Sequence, residues 1–284
     1  MENNNTSAEE TQMTFLEHLE ELRWHLIRSA AAIMILAIIA FLSKGFVFDS
    51  VVFAPMQEQF ITFKVLCLLS HKLHLLIPAL VSDDLICIGK AIPGLQNISM
   101  AGQFATHIMV SIITGFIIAF PYVFWEMWRF IQPALKRNEQ KQTKGVVLSS
   151  SFLFIIGALF GYFIIVPLSV NFLATYSVSE SVKTIPTLSS YITTVTMITL
   201  ACAIIFQLPL LVVFLSKWGL ISPTFLKKFR KHAIVVALIV SAIITPPDVF
   251  SQILVGLPLL LLYEVSIWLS ATVMRKEKKR LKTN

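Results

Sequence analysis

The stretch AIVVALIVSAIITPPDVFSQILVGLPLLLLYE, residues 233–264, holds two apolar runs joined by Pro246-Pro247-Asp248. Proline lacks the N–H that a helix needs and clashes with the preceding turn, so the pair breaks the chain into a helical hairpin. Residues 233–245 rise only about 20 Å as a helix. The hydrocarbon core of a bilayer is about 30 Å thick and needs roughly 20 apolar residues to cross. The last two helices are therefore expected to be short, set in a thinned bilayer or shielded by neighbouring helices.

The same apolar character extends outward along the chain. Of 284 residues, 56% are hydrophobic and 14% charged, against about 45–50% and about 25% for a soluble domain. Ordinary soluble enzymes, disordered chains and disulfide scaffolds are excluded. Four further spans are expected: Trp24 to Ser43, Ile108 to Trp125, the uncharged stretch from Gly145 to Ser179, and about Tyr191 to Leu215. Pro167 is expected to end or kink the third. The fold class is all-α, a six-helix membrane domain over residues 14–274. A disordered arm (1–13) precedes it, a basic tail (275–284) follows, and a long loop lies at about 45–103.

The net charge of +7 first suggests nucleic acid. Its placement points elsewhere. Eighteen of the 23 Lys and Arg lie at the two ends of the chain and in the loops after spans two and four; Lys44, Lys64, Lys72, Lys90 and Lys183 lie in the alternate loops. Basic loops stay in the cytoplasm, so both termini are expected there. A cationic surface facing membrane lipid accounts for the charge without nucleic acid. The first 22 residues contain six Glu and no Lys or Arg, so no cleavable signal peptide is expected.

Three segments carry polar groups of interest. In TFLEHLEELR, residues 14–23, Thr14 and Glu17 fit a capping box. Phe15, Leu19, Leu22 and Leu26 recur at helical spacing. A short amphipathic surface helix is expected, its glutamates either simply solvated or set to meet a cation. In WRFIQPALKRNE, residues 128–139, Glu139 is an acid in a basic loop; it either pairs locally with Lys136 or Arg137 or faces a partner. Within the membrane, Gln207 either satisfies carbonyls freed by Pro209 or meets another helix. Glu264, and Glu126 with Arg129, are either structural or functional.

Signals for catalysis are weak. Asp83-Asp84 has no second acid cluster, and His71-x-x-His74 has no evident third metal ligand. There is no H-E-x-x-H, G-x-S-x-G or P-loop. No enzyme activity, metal or cofactor is expected. Cys67 and Cys87 share the long loop, where an oxidising compartment permits a disulfide; Cys202 reads as packing.

Taken together, these segments resemble the TatC family, the signal-peptide receptor subunit of the twin-arginine protein translocase. The matching strings are FLEHLEELR (15–23), WRFIQPAL (128–135), GYF (161–163), ISP (221–223) and TPPDVFSQ (245–252). They stand in order on a six-span frame, over roughly residues 14–270. The resemblance implies an inner-membrane protein that binds twin-arginine signal peptides of folded cargo. It implies small single-span TatA/TatB-like partners, self-association in a complex, and export driven by the proton gradient.

Guanidinium groups pair bidentately with carboxylates. The cytoplasmic acids that match the family motifs are Glu21 and Glu139. The resemblance implies that they meet the arginines, with Phe130 beside them and Arg23 positioning Glu21 or the partner. Pro55, Tyr162, Asp248 and Gln252 match further family positions. Two departures stand out. Gln207 replaces a frequent Glu and cannot ionise, and residues 66–98 lengthen the first exported loop. A solute transporter would need interior charges and inverted repeats, which the two halves do not display. An intramembrane enzyme would need a paired nucleophile and base.

Overall fold

The structure is a computed structural model describing residues 15–76, 94–132, 143–179, 184–245 and 249–283. Thr14, Cys87, Glu139 and Asp248 lie outside the described residues. Among those described, the chain is helical, with no strand and one isolated bridge between Gln96 and Thr187.

Helix α1 runs without interruption over Phe15–Leu42. The separate surface helix expected at residues 14–23 is thus its first part, because no Gly or Pro stands between Phe15 and Leu42 to break it. After α1 come a π-helical segment, Phe46–Val52, a 3-10 turn, Ala54–Met56, and α2, Ile61–Leu76. Much of the expected loop is therefore helical. Helix α3, Gly102–Ile131, extends past both ends of its expected span.

Pro167 does not end its span. The chain passes from α4, Thr143–Phe160, through a π-helical segment, Gly161–Ile165, into α5, Val166–Thr175. A π-bulge absorbs the donor that proline lacks. Pro209 has the stronger effect. It separates α6, Leu188–Ile205, from α7, Leu208–Lys217. Gly219, at φ +73°, then stops α7 in the left-handed conformation that glycine adopts without strain. Ser222 caps α8, Pro223–Lys228, by accepting from Phe225 N at 3.1 Å.

Helix α9, Arg230–Ile244, has 15 residues and is short as expected, while α10, Val249–Thr283, has 35. Glu264 does not end α10. Its Oε2 accepts from Arg230 Nη2 at 2.7 Å at the bundle surface, and apolar residues resume after it. Six segments among the described residues are long and apolar enough to cross a membrane: Leu19–Leu42, Phe46–Lys72, Gly102–Ile131, Gly145–Thr175, Leu188–Lys217 and Gln252–Arg275. The second arises from the expected loop; α9 is below that length.

Two close approaches set the helix packing. A Cβ on Gly115 would lie 2.6 Å from Ala37 N, so α1 and α3 touch backbone to backbone. A Cβ on Gly157 would lie 2.7 Å from Cys202 O, which joins α4 to α6 in the same way. Small residues at helix crossings permit such contact in lipid. The largest buried cluster includes Val47, Val52, Val110, Ile165, Val166, Tyr191, Ile192, Val195 and Ile198. A second centres on Phe154, which stacks on Phe120 at 3.5 Å.

Candidate functional site

The N-terminal part of α1 and the C-terminal part of α3 lie side by side in antiparallel contact. Residues Glu21, Trp24, His25, Arg28 and Arg129 line a cavity of about 240 Å³ there. Glu21 is 36% exposed and accessible from outside. Helical spacing brings His25 beneath it, with Nε2 at 4.0 Å from Glu21 Oε1. Arg129 lies over the Trp125 ring at 5.7 Å, an arrangement favoured by the ring quadrupole.

Behind His25 stands a carboxylate that is almost sealed from solvent. Glu126 is 2% exposed. His25 Nδ1 bonds its Oε2, and Tyr122 Oη donates to its Oε1 at 2.9 Å. A charge at this depth is expensive without partners; here both carboxylate oxygens have one. Glu126 and Arg129, adjacent on the helix surface by spacing, thus serve different contacts.

Phe130 meets the His25 ring edge-on at 6.2 Å between centroids. It also helps line an apolar groove of about 390 Å³ between α1 and α3, whose other walls include Leu22, Leu26, Ile33 and Met127. His25 lines both cavities and stands between the charged one and the apolar one. Arg23 is exposed and does not line the Glu21 cavity, since residues two apart on a helix do not face each other. Of the residues expected from the sequence, Glu21 and Phe130 thus line these two cavities; His25, Arg28 and the pairing of Glu126 were not expected there. The spacings Glu21–His25 and Tyr122–Glu126 were visible signals; the contact across 101 residues was not.

The remaining expected residues lie elsewhere. Pro55 is fully buried in its 3-10 turn. Tyr162 Oη donates to Val51 O and Tyr191 Oη to Val52 O, each at 2.6 Å, so two hydroxyls hold the segment that leads into Pro55. Gln252 Nε2 donates to Leu238 O at 3.1 Å across the α9–α10 hairpin. Gln207 bonds Ser150 of α4. Cys67 is disulfide-bonded and Cys202 is free and buried. No group of three or more His, Cys, Asp or Glu suited to a metal occurs among the described residues. At the opposite end of the bundle a larger cavity, about 630 Å³, is lined by Lys44, Asp49, Asn97, Gln103 and His107 among others.

Comparison with known proteins agrees over nearly the whole length. Residues 17–258 match the family model described as Sec-independent protein translocase protein (TatC). The TatC protein of Blattabacterium sp. subsp. Periplaneta americana is 41% identical over 269 residues, 95% of this chain and 99% of that protein. That of Aquifex aeolicus is 36% identical over 270 residues, 94% and 98% of the two chains. A crystal structure of the twin-arginine translocase receptor TatC superposes with a TM-score of 0.68 at 35% identity, covering 91% of this chain and 100% of that one. The chain belongs to the TatC family of Sec-independent protein translocase proteins.

Proposed function

We propose that this protein is the receptor subunit of a twin-arginine translocase, sited in the bacterial inner membrane with both termini in the cytoplasm. It binds twin-arginine signal peptides of folded cargo and does no covalent chemistry. The observation that carries this reading is the partly exposed Glu21 carboxylate, in a cavity separated by the His25 ring from the apolar groove beside Phe130. A guanidinium fork meets a carboxylate bidentately, and the apolar residues of a signal peptide find lipid and groove next to it. Glu139 is the second arginine-binding acid on this reading, and the excess of Lys and Arg at this end supports the orientation.

Partners on the same reading are small single-span TatA/TatB-like subunits, further copies of this chain in a complex, and lipid. Pro55, Tyr162, Asp248 and Gln252 serve the opposite half. Gln207 acts as a neutral polar contact and carries no proton.

Site-specific photocrosslinking at positions 21, 139 and 207 to a twin-arginine precursor, with and without the proton gradient, tests the site. Crosslinks are expected at 21 and 139. Glu21→Lys and Glu139→Lys are expected to abolish binding while the protein still folds. Unchanged peptide crosslinking in both variants would overturn the assignment.

A further inference from the structure

Glu21 has two arginines in its own cavity, Arg28 and Arg129, either of which is long enough to cover a carboxylate. The group that faces it, at 4.0 Å, is instead His25 Nε2. The His25 ring is held by two contacts, one of them buttressed from behind. Nδ1 is occupied by Glu126, Glu126 is in turn held by Tyr122, and the ring edge rests on Phe130. With Nδ1 committed, Nε2 has one direction left, and that direction is Glu21. All of these supports come from α3, so the orientation of a carboxylate on α1 depends on its neighbour helix.

We propose that His25 is a positioning residue for Glu21, fixed by Glu126 and Tyr122, that holds this carboxylate open to an incoming guanidinium and away from the resident arginines. This rests on the reading of Glu21 as an arginine-binding acid. The logic is that of a metal-binding or catalytic histidine, whose working nitrogen is aimed by the hydrogen bond its other nitrogen makes. Glu126 is too buried to line the cavity itself. It acts through His25.

Two substitutions separate the nitrogens. Asparagine places its amide nitrogen near the position of Nδ1, so His25→Asn retains a donor for Glu126 and loses the group facing Glu21. Glutamine reaches the position of Nε2 and rescues that role. The assay is binding of a fluorescent synthetic peptide, with adjacent arginines before an apolar segment, to the purified full chain in detergent. Wild type, Glu21→Gln, His25→Asn, His25→Gln and Glu21→Gln/His25→Asn are compared, with thermal melting as the check on folding.

The expected result is about a tenfold loss of affinity in His25→Asn. His25→Gln is expected to retain more affinity than His25→Asn, and the double variant to be no weaker than Glu21→Gln alone. Unchanged affinity in His25→Asn, or the same fold loss in the wild-type and Glu21→Gln backgrounds, would overturn the positioning role and leave the Glu21 site standing. Unchanged affinity in Glu21→Gln would overturn the carboxylate reading and this proposal with it.

Discussion

The side-chain amide of Gln207 closes on Ser150 with both of its ends: Oε1 accepts from Ser150 Oγ at 2.7 Å, and Nε2 donates to Ser150 O at 3.1 Å. Gln207 sits at the break between α6 and α7, where Pro209 interrupts the helix. The amide thus joins that break to α4 and satisfies a polar group within the apolar span. A glutamate there would accept from the hydroxyl but present an acceptor to the Ser150 carbonyl.

Gln207→Leu is accordingly expected to destabilise the fold by about 0.5–2 kcal/mol, and Ser150→Ala by less. Because they share one contact, the double variant should lose less than the two single losses combined. Thermal melting of the detergent-solubilised protein checks this; full additivity would show that the two residues act separately.

His25→Leu is expected to cost about 3–5 kcal/mol, since it leaves the buried Glu126 carboxylate without its principal partner. His25→Leu/Glu126→Leu should recover much of that loss, because the uncompensated charge is gone. Apparent melting temperatures of the three variants provide the measurement. A double variant as unstable as His25→Leu would show that packing, not charge, dominates.

Tyr191→Phe leaves the Val52 carbonyl unpaired in the core and is expected to cost about 1–3 kcal/mol. Tyr162→Phe acts on a carbonyl nearer the surface, where water can substitute, and should cost less. Amide hydrogen exchange over residues 46–56 should accelerate in both, more in Tyr191→Phe. Exchange confined to other segments would contradict the role of these hydroxyls.

Gly115→Leu places a side chain against the Ala37 backbone and forces α1 from α3. Overpacking of this kind costs about 1–3 kcal/mol or more. Since Glu21 and His25 stand on α1 while Glu126 and Phe130 stand on α3, the same variant should also lower peptide affinity. Arg230→Ala gives the contrast: its ion pair with Glu264 is about half exposed at both ends, so the expected change in stability is under about 1 kcal/mol.

Much of the architecture was legible because lipid imposes a simple demand. Every spanning segment must be apolar and hydrogen-bonded within itself, and runs such as Gly145 to Ser179 announce that directly. Boundaries were less legible. Glu264 and Glu126 looked like ends of spans, yet both lie inside helices because partners from distant segments, Arg230 and His25, compensate their charge. The expected loop at 45–103 contains the irregular π-helical and 3-10 turns of Phe46–Val52 and Ala54–Met56 and a regular helix, Ile61–Leu76, whose short apolar run with Lys64 and Lys72 did not read as a span.

The candidate site divides along the same line. The acidic character at Glu21, the aromatic Phe130, the basic end of the bundle and the family motifs are properties of residue type and local spacing, and the chain carries them on its face. The sealing of Glu126, the aim of His25 toward Glu21 and the clasp of Gln207 on Ser150 depend on which helices meet. Those contacts join residues 101 and 57 positions apart, and no periodicity encodes them. The bilayer selects which segments become helices; only the packing of those helices decides which buried polar group finds which partner.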